Sequence, residues 1–421
     1  MSAAHRKRAM KKRAGNWGKT PWTVDFRSKV GVLPEVVDVA IVGGGFTGLS
    51  ATAMVKRLAP EKSVLLLEAA KVGNGASGRT GGMALAETAA GNLPGLGDVL
   101  KGYREILRKL KVKADLTLPG VWELARGTRT MDGTAVHAMR RSPINWNDSG
   151  KLRAVRKVAG GSVNPGKVVA GLARAAEAAG AHIAELAEVT SLEFGEPLKL
   201  EIKRRRVRTS ERKTIFAKKL FIATNAGSLD LAGELFGGKK PAEPKLTFAL
   251  ATERLSKKRL KTIGLGSKHP FYTVDLPYLW GKTTPDGRLI LGSGLVPGWG
   301  ETLRMESRDK KATRFDARGM WNGLENVDVR KGAAAERLKS LEKRVRALHP
   351  ALEKIRFTHR WGGPILITHG FLPVFRQHPE SDRVVVAGGY SGHGVALSVY
   401  LGNWAAQYLV GRRKLPAWKL P

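Results

Sequence analysis

The chain has 421 residues, 42% of them hydrophobic, and 73 Lys and Arg against 36 Asp and Glu give it a formal charge of +37. That length exceeds one ordinary hydrophobic core, so two domains are expected, and that apolar content excludes a disordered chain. The lack of cysteine excludes disulfides, thiolate metal sites and a cysteine-linked cofactor, and no apolar run approaches the roughly 20 residues of a membrane-spanning helix.

Nine scattered histidines show no metal-type pairing, so no metal is expected. The charge admits two readings: a solvated bias spread along the chain, or an attraction for nucleic acid or anionic lipid that weakens with salt. Residues 1–30 open with His5-Arg6-Lys7-Arg8 and Lys11-Lys12-Arg13 and read as a flexible basic arm leading to an ordered segment near Trp22. No apolar stretch follows the arm as a secretory signal requires, and its low serine content argues against a transit peptide, so a cytoplasmic location is expected.

Val36 to Val42 reads as a buried parallel strand that ends abruptly in Gly43-Gly44-Gly45-Phe46-Thr47-Gly48. Leu49, Ala53 and Leu58 then keep helical spacing until Pro60. Strand, glycine turn and helix in this order aim a helix N-terminus at a pyrophosphate, with Gly43, Gly45 and Gly48 leaving room for the anion. A second strand, Ser63 to Leu67, delivers Glu68 20 residues beyond Gly48 (68 − 48), where a dinucleotide site places a carboxylate for ribose hydroxyls.

Gly73-Asn74-Gly75-Ala76-Ser77-Gly78-Arg79-Thr80-Gly81-Gly82 is too glycine-rich for a helix or a paired strand, and a helical stretch is expected from Ala84. Coming after the first glycine turn and the acid-ended strand, GASGRTGG resembles the FAD-dependent D-amino-acid oxidase superfamily, in its branch similar to gamma-glutamylputrescine oxidoreductase. Asn is common in that branch where this chain has Thr80. The resemblance implies non-covalent FAD held by Gly43, Gly45, Phe46, Thr47, Gly48, Glu68, Ser77, Gly78, Arg79, Thr80 and Gly81.

Residues 98–113 read as a basic amphipathic helix and Leu116 to Leu124 as a strand, whereas 127–160 looks irregular. Asn164-Pro165 opens a helix over Lys167 to Ala179 that Gly180 closes, and a strand is expected over Ile183 to Val189. By the resemblance, backbone near Val189 meets adenine. Residues 190–216 form a hairpin with Lys203-Arg204-Arg205-Arg206-Val207-Arg208 near its tip, a run that reads as a solvated tip or a nucleic-acid patch. A buried strand from Leu220 then ends in Ala223-Thr224-Asn225-Ala226, matching the family's ATNA signature, which places Thr224 and Asn225 beside the pyrophosphate loop.

Strands follow at Leu246 to Thr252, Tyr278 to Lys282 and Arg288 to Gly292, and a helix through Leu338, Leu341, Val345 and Leu348 stops at Pro350. The family places such an antiparallel sheet over the flavin. Arg360-Trp361-Gly362-Gly363 precedes a buried strand at Val384 to Val386, which runs into Gly388-Gly389-Tyr390-Ser391-Gly392-His393-Gly394 and a helix from Val395 to Gly411. This second strand, glycine turn and helix matches the family's C-terminal flavin motif and adds Gly363, Gly389, Gly392, His393, Gly394 and Val395 to the cofactor set. His393 reads either as a satisfied structural residue or as a donor of backbone.

The resemblance implies an α/β protein in which a Rossmann-like FAD-binding domain (31–100, 155–235 and 355–415) interleaves with an α+β antiparallel-sheet substrate domain (101–154 and 236–354). It implies oxidation of the C–N bond of an amine or amino acid, with hydride transfer to the flavin, hydrolysis of the imine, and reoxidation by O2 or an electron carrier. Lys282, Trp280 and Tyr390 are the candidate catalytic residues. Lys282 reads equally as a carboxylate partner, an aid to oxygen reduction or a solvated strand residue, and the aromatics as pocket or core. The alternatives are an oxidase of a modified tRNA nucleoside, which the charge would favour, and a non-catalytic flavoprotein.

Overall fold

The computed structural model describes residues 16–29, 31–205, 209–232, 235, 242–293, 324, 327–379, 381–416 and 418. The basic runs at 5–8 and 11–13, the hairpin-tip residues 206–208 and positions 294–323 of the expected substrate domain lie outside them.

Two eight-stranded sheets carry the architecture, which is of the α/β class. In the first, the order is Val374–His378, Ser381–Gly388, Ser210–Ile222, Val36–Val42, Val64–Glu68 and His182–Glu185, extended by a hairpin of Leu198–Arg205 with Ala187–Glu193. Val36–Val42 runs parallel between Ser210–Ile222 and Val64–Glu68. Val39, Ile41, Val64 and Leu66 pack toward helix Phe46–Leu58, while Ala40, Val42, Leu65 and Leu67 enter the core on the opposite face. A strand covered on both sides must be apolar at consecutive positions, which is why these segments show no alternation.

Two of the helices start at capping side chains. Asp98 accepts a hydrogen bond from the Lys101 amide ahead of Val99–Lys109, and Asn164 caps Pro165–Ala178 through the Lys167 amide. No helix of the described residues is long and apolar enough to cross a membrane.

The second sheet runs Phe357–Ile367, Glu243–Arg254, Arg288–Ser293, Trp280–Thr283, Phe271–Thr273, Val121–Ala125, Lys151–Val158, Asn145–Asn147. All its pairs are antiparallel except that between Phe271–Thr273 and Val121–Ala125. Helix Gly332–Ala347 buries Ala334, Leu338, Leu341 and Val345 against it. Phe357–Ile367 falls within 355–415 but pairs with Glu243–Arg254, so the chain crosses between the sheets just before its return.

Several local expectations change. No helix starts at Ala84: Met83–Leu85 is a short strand paired with Gly160–Ser162, whose glycines admit it closely. The stretch expected to be irregular contains Lys151–Val158, where Leu152 and Ala154 are buried between basic residues. The strand expected from Leu116 begins at Val121, after Gly120 at φ +106°. The strand expected over Ile183 to Val189 breaks at Leu186, φ +59°, which turns the chain out of the parallel sheet into the hairpin. The described N-terminal residues include Asn16 and Trp17 ahead of Trp22, and Trp17 is buried.

Candidate functional site

A cavity of about 1360 Å3 lies between the sheets, larger than the roughly 300–1,000 Å3 that a drug-sized ligand needs. The first glycine turn forms one wall, with Gly43, Gly45, Phe46 and Thr47 lining it. Gly43 sits at φ +112°, and a Cβ there would stand 2.6 Å from the Ala223 carbonyl oxygen, so only glycine fits. Gly48 lies behind the wall, in the first turn of helix Phe46–Leu58, whose N-cap Gly45 offers no side-chain cap.

Glu68 closes the second strand at the cavity. Its Oε2 accepts the Gly44 amide at 2.7 Å and its Oε1 the Ala70 amide at 2.8 Å. Burial raises its pKa against those two hydrogen bonds, and the neighbouring carboxylate of Glu185 adds to the rise. Glu185 is itself held by the Val72 amide and Lys71.

The glycine-rich loop is fastened from three directions. Ser77 Oγ accepts the Phe46 amide at 2.9 Å, tying the loop to the first turn. The Arg79 guanidinium donates to the carbonyls of Asn74 and Gly18, each at 3.0 Å, and lies 5.4 Å from the Trp17 ring. Burial pulls the Arg79 pKa down, yet the group is spent on backbone rather than aimed at a ligand carboxylate. Trp361 Nε1 donates to the Arg79 carbonyl and Trp22 Nε1 to that of Gly78, both at 2.8 Å, and the two indoles meet edge to face at 5.6 Å. Arg79, Thr80, Gly81 and Ser77 line the cavity, whereas Gly78 supports it from behind.

The third wall comes from the chain's return. Thr224, Asn225, Gly363, Gly392, His393, Gly394 and Val395 all line the cavity, and Val189 lines it on the hairpin side. Gly389 stands outside the lining, but its amide donates to Asn225 Oδ1 at 2.9 Å and so couples the two small polar turns. Helix Gly394–Leu409 opens here without a side-chain cap. His393 and Ser398 line the cavity, and His393 Nδ1 and Ser398 Oγ are buried without a hydrogen-bond partner among the described residues. Two uncapped helix starts, a carboxylate anchored beside the first turn, and buried polar atoms awaiting partners together fit FAD.

Of the candidate catalytic residues, two reach the cavity. Tyr390 lines it and hydrogen-bonds Thr47 at 2.7 Å between hydroxyl oxygens, with burial raising its pKa. Trp280 lines it too, wedged so tightly over Gly81 that a Cβ there would fall 2.1 Å from the indole. Lys282 is not in the lining. It is buried, with 4% exposure, which removes the reading as a solvated strand residue; its Nζ donates to the Val163 carbonyl at 2.6 Å, and burial lowers its pKa to about 7.

Sequence reasoning anticipated Trp361 as a pocket residue but missed the apolar part of the lining. Met83, Leu85, Met131, Leu276 and Tyr278 form an apolar mouth beside Trp280. Met131 and Leu276 are two of the five large apolar side chains exposed among the described residues. Behind the mouth, Asp148 binds both Arg126 and Arg344, with the Arg344 contacts at 2.8 and 2.7 Å, and both arginines donate to the Pro277 carbonyl at 2.8 Å. This nearly buried network fixes the turn that presents Leu276 and Tyr278. Ser398 was detectable, one helical turn beyond Gly394. Trp17 had no local signal.

The family model for FAD-dependent oxidoreductases matches residues 38–408. Gamma-glutamylputrescine oxidoreductase of Escherichia coli is 25% identical over 413 residues, covering 89% of this chain and 84% of the relative. A probable oxidoreductase, OrdL, of Haemophilus influenzae is 24% identical over 90% of this chain and 84% of its own. The crystal structure of L-proline dehydrogenase from P. horikoshii superposes with a TM-score of 0.66 at 18% identity, covering 91% of this chain and 96% of that one. Glycine oxidase from Geobacillus kaustophilus gives 0.63 at 18% identity, over 90% and 96%. At such identities the likeness is one of fold, but the family match spans most of the chain and agrees with a cavity built for FAD: this protein belongs to the FAD-dependent oxidoreductase family of the D-amino-acid oxidase type.

Proposed function

We propose that the protein oxidises the C–N bond of an amine, removing a hydride from the carbon beside a neutral nitrogen to give an imine that water hydrolyses to a carbonyl. The observation that carries this reading is that the uncapped start of helix Gly394–Leu409 opens into the same cavity as Trp280 and Tyr390. FAD, when bound, supplies the two-electron acceptor and returns those electrons to O2 or an electron carrier. The amides at the helix start stabilise negative charge beside them, an effect of about 0.3–2 kcal/mol according to burial. Burial lowers the His393 pKa and raises that of Tyr390, and the same poorly hydrated surroundings favour a neutral amine over an ammonium.

The cofactor set in this proposal is Gly43, Gly45, Phe46, Thr47, Glu68, Ser77, Arg79, Thr80, Gly81, Val189, Thr224, Asn225, Gly363, Gly392, His393, Gly394 and Val395, backed by Gly48, Gly78 and Gly389. Trp280 and Tyr390 contact substrate, and Lys282 acts from behind the wall. The name of the Escherichia coli relative supports an amine substrate. The apolar mouth supports an amine that carries an apolar arm, because such an arm lying on Met131 and Leu276 would take their exposed apolar surface out of water. The division into cofactor and substrate domains at the boundaries given above, a cytoplasmic location and weak contact with polyanions through the +37 charge belong to the same proposal.

The test is the absorbance spectrum of the purified protein, followed by anaerobic mixing with amines, N-methyl amino acids and amino acids. Oxidised-flavin bands that bleach with apolar amines support the reading. Bleaching by free amino acids alone would replace it with an amino-acid oxidoreductase, and a yellow protein that no amine bleaches would leave it without catalysis.

A further inference from the structure

We infer that the hairpin of Leu198–Arg205 and Ser210–Ile222 carries a cationic lip that captures FAD by long-range attraction before the glycine turns hold it. This rests on the cavity being the FAD site.

Lys203, Arg205 and Arg212 all line the cavity, next to Glu188, Val189 and Thr190. They arrive there because Leu186, at positive φ, swings the following strand out of the parallel sheet and into the hairpin. The register then sets Lys203 directly opposite Arg212 on one side and opposite Glu188 on the other. Like charges facing each other across an antiparallel pair are destabilising, so the sheet bears a cost at this point that a nearby anion offsets. Glu188 does not offset it fully, since its carboxylate is taken by Arg205 at 3.0 Å. Three cations against one carboxylate leave a positive rim at the hairpin end of the cavity.

FAD brings a pyrophosphate with two negative charges, and a positive rim on the cavity that holds the turn at Gly43 and the carboxylate of Glu68 attracts it. Exposed charges of this kind raise encounter rates, by about 10- to 1,000-fold in strongly steered systems, and add little to the lifetime of the complex. Lys203 and Arg205 thus serve the cofactor rather than forming an independent patch.

The test uses the full-length chain stripped of flavin, mixed rapidly with FAD while flavin fluorescence is followed over a series of salt concentrations. The double variant Lys203→Gln and Arg212→Gln is expected to bind FAD about tenfold more slowly and with a flatter salt dependence, at unchanged dissociation rate and bound-flavin spectrum. The charge-keeping swap Lys203→Arg with Arg212→Lys is expected to match the wild type, which separates charge from folding. Equal association rates and salt slopes in the wild type and the Gln variant would overturn the inference, as would a change confined to dissociation or a swap as slow as the Gln variant. Wild-type protein that binds no FAD would instead sink the cofactor reading itself.

Discussion

At the glycine turns the cavity wall is backbone, drawn from Gly43–Phe46 and Gly392–Val395, each within a few residues of the strand that delivers it. At the mouth it is side chain: Met83, Met131 and the stretch that carries Leu276, Tyr278 and Trp280 converge from three distant parts of the chain and are set by packing and by the ion network behind them. The first kind of wall is fixed by local conformation and suits an invariant cofactor. The second can change one residue at a time and suits a variable substrate.

If that contrast is right, the mouth fails by losing charge behind it and the turns fail by gaining a Cβ. Asp148→Ala leaves Arg126 with Asp275 alone and the partly exposed Arg344 without a carboxylate, and should cost about 1–3 kcal/mol in urea unfolding. Flavin should still bind at saturating FAD, and unchanged stability would show the network to be idle. Gly43→Ala forces a side chain into left-handed backbone against the Ala223 carbonyl, and strain of about 1–3 kcal/mol should weaken FAD binding about ten- to a hundredfold, read by flavin retained on gel filtration. Trp280→Ala should slow anaerobic bleaching by an amine about tenfold, roughly 1.4 kcal/mol, with flavin content kept. Loss of flavin from that variant would move Trp280 to the cofactor end.

A pH trend follows from Lys282. Lys282 has a folded-state pKa of about 7 against 10.5 for the unfolded chain, so between these values the unfolded chain binds more protons and wild-type stability rises with pH. Thermal unfolding of Lys282→Met should therefore compare best with wild type near pH 7 and lose ground toward pH 10. A difference that stays constant across this window would mean that Lys282 is not held in a charge-averse site.

The same contrast explains what could be read without coordinates. The turn at Gly43 and the acid at Glu68 were legible from their spacing, and the Arg79 loop and the GGYSGHG turn from their resemblance to family motifs, because each is a short contiguous pattern. Met131 and Leu276 were not, since nothing in their own neighbourhoods announces a cavity. The strand Lys151–Val158 was missed although Leu152 and Ala154 alternate with basic residues, because frequent lysine and arginine made the alternation look like solvated loop. Leu186 hid a break inside an apolar run, where a β-branched or aliphatic sequence gives no warning of positive φ. Lys282 was legible as unusual but not as buried.

The segment from Asn16 to Trp22 has a consequence for timing. Gly18 bridges Trp361, Gly362 donates to the Trp17 carbonyl, and Arg79 reaches back to Gly18. An early stretch of the chain is thus seated by a partner made 343 residues later (361 − 18). At about 5–20 residues per second, that partner leaves the peptidyl-transferase centre roughly 20–70 s after Gly18 does. Throughout that interval Trp17 and Trp22 have no final seat and the Arg79 loop lacks its outer fastening. Retention of flavin by a nascent chain should accordingly appear late and abruptly, when Phe357–Ile367 has emerged, rather than when the first glycine turn is complete.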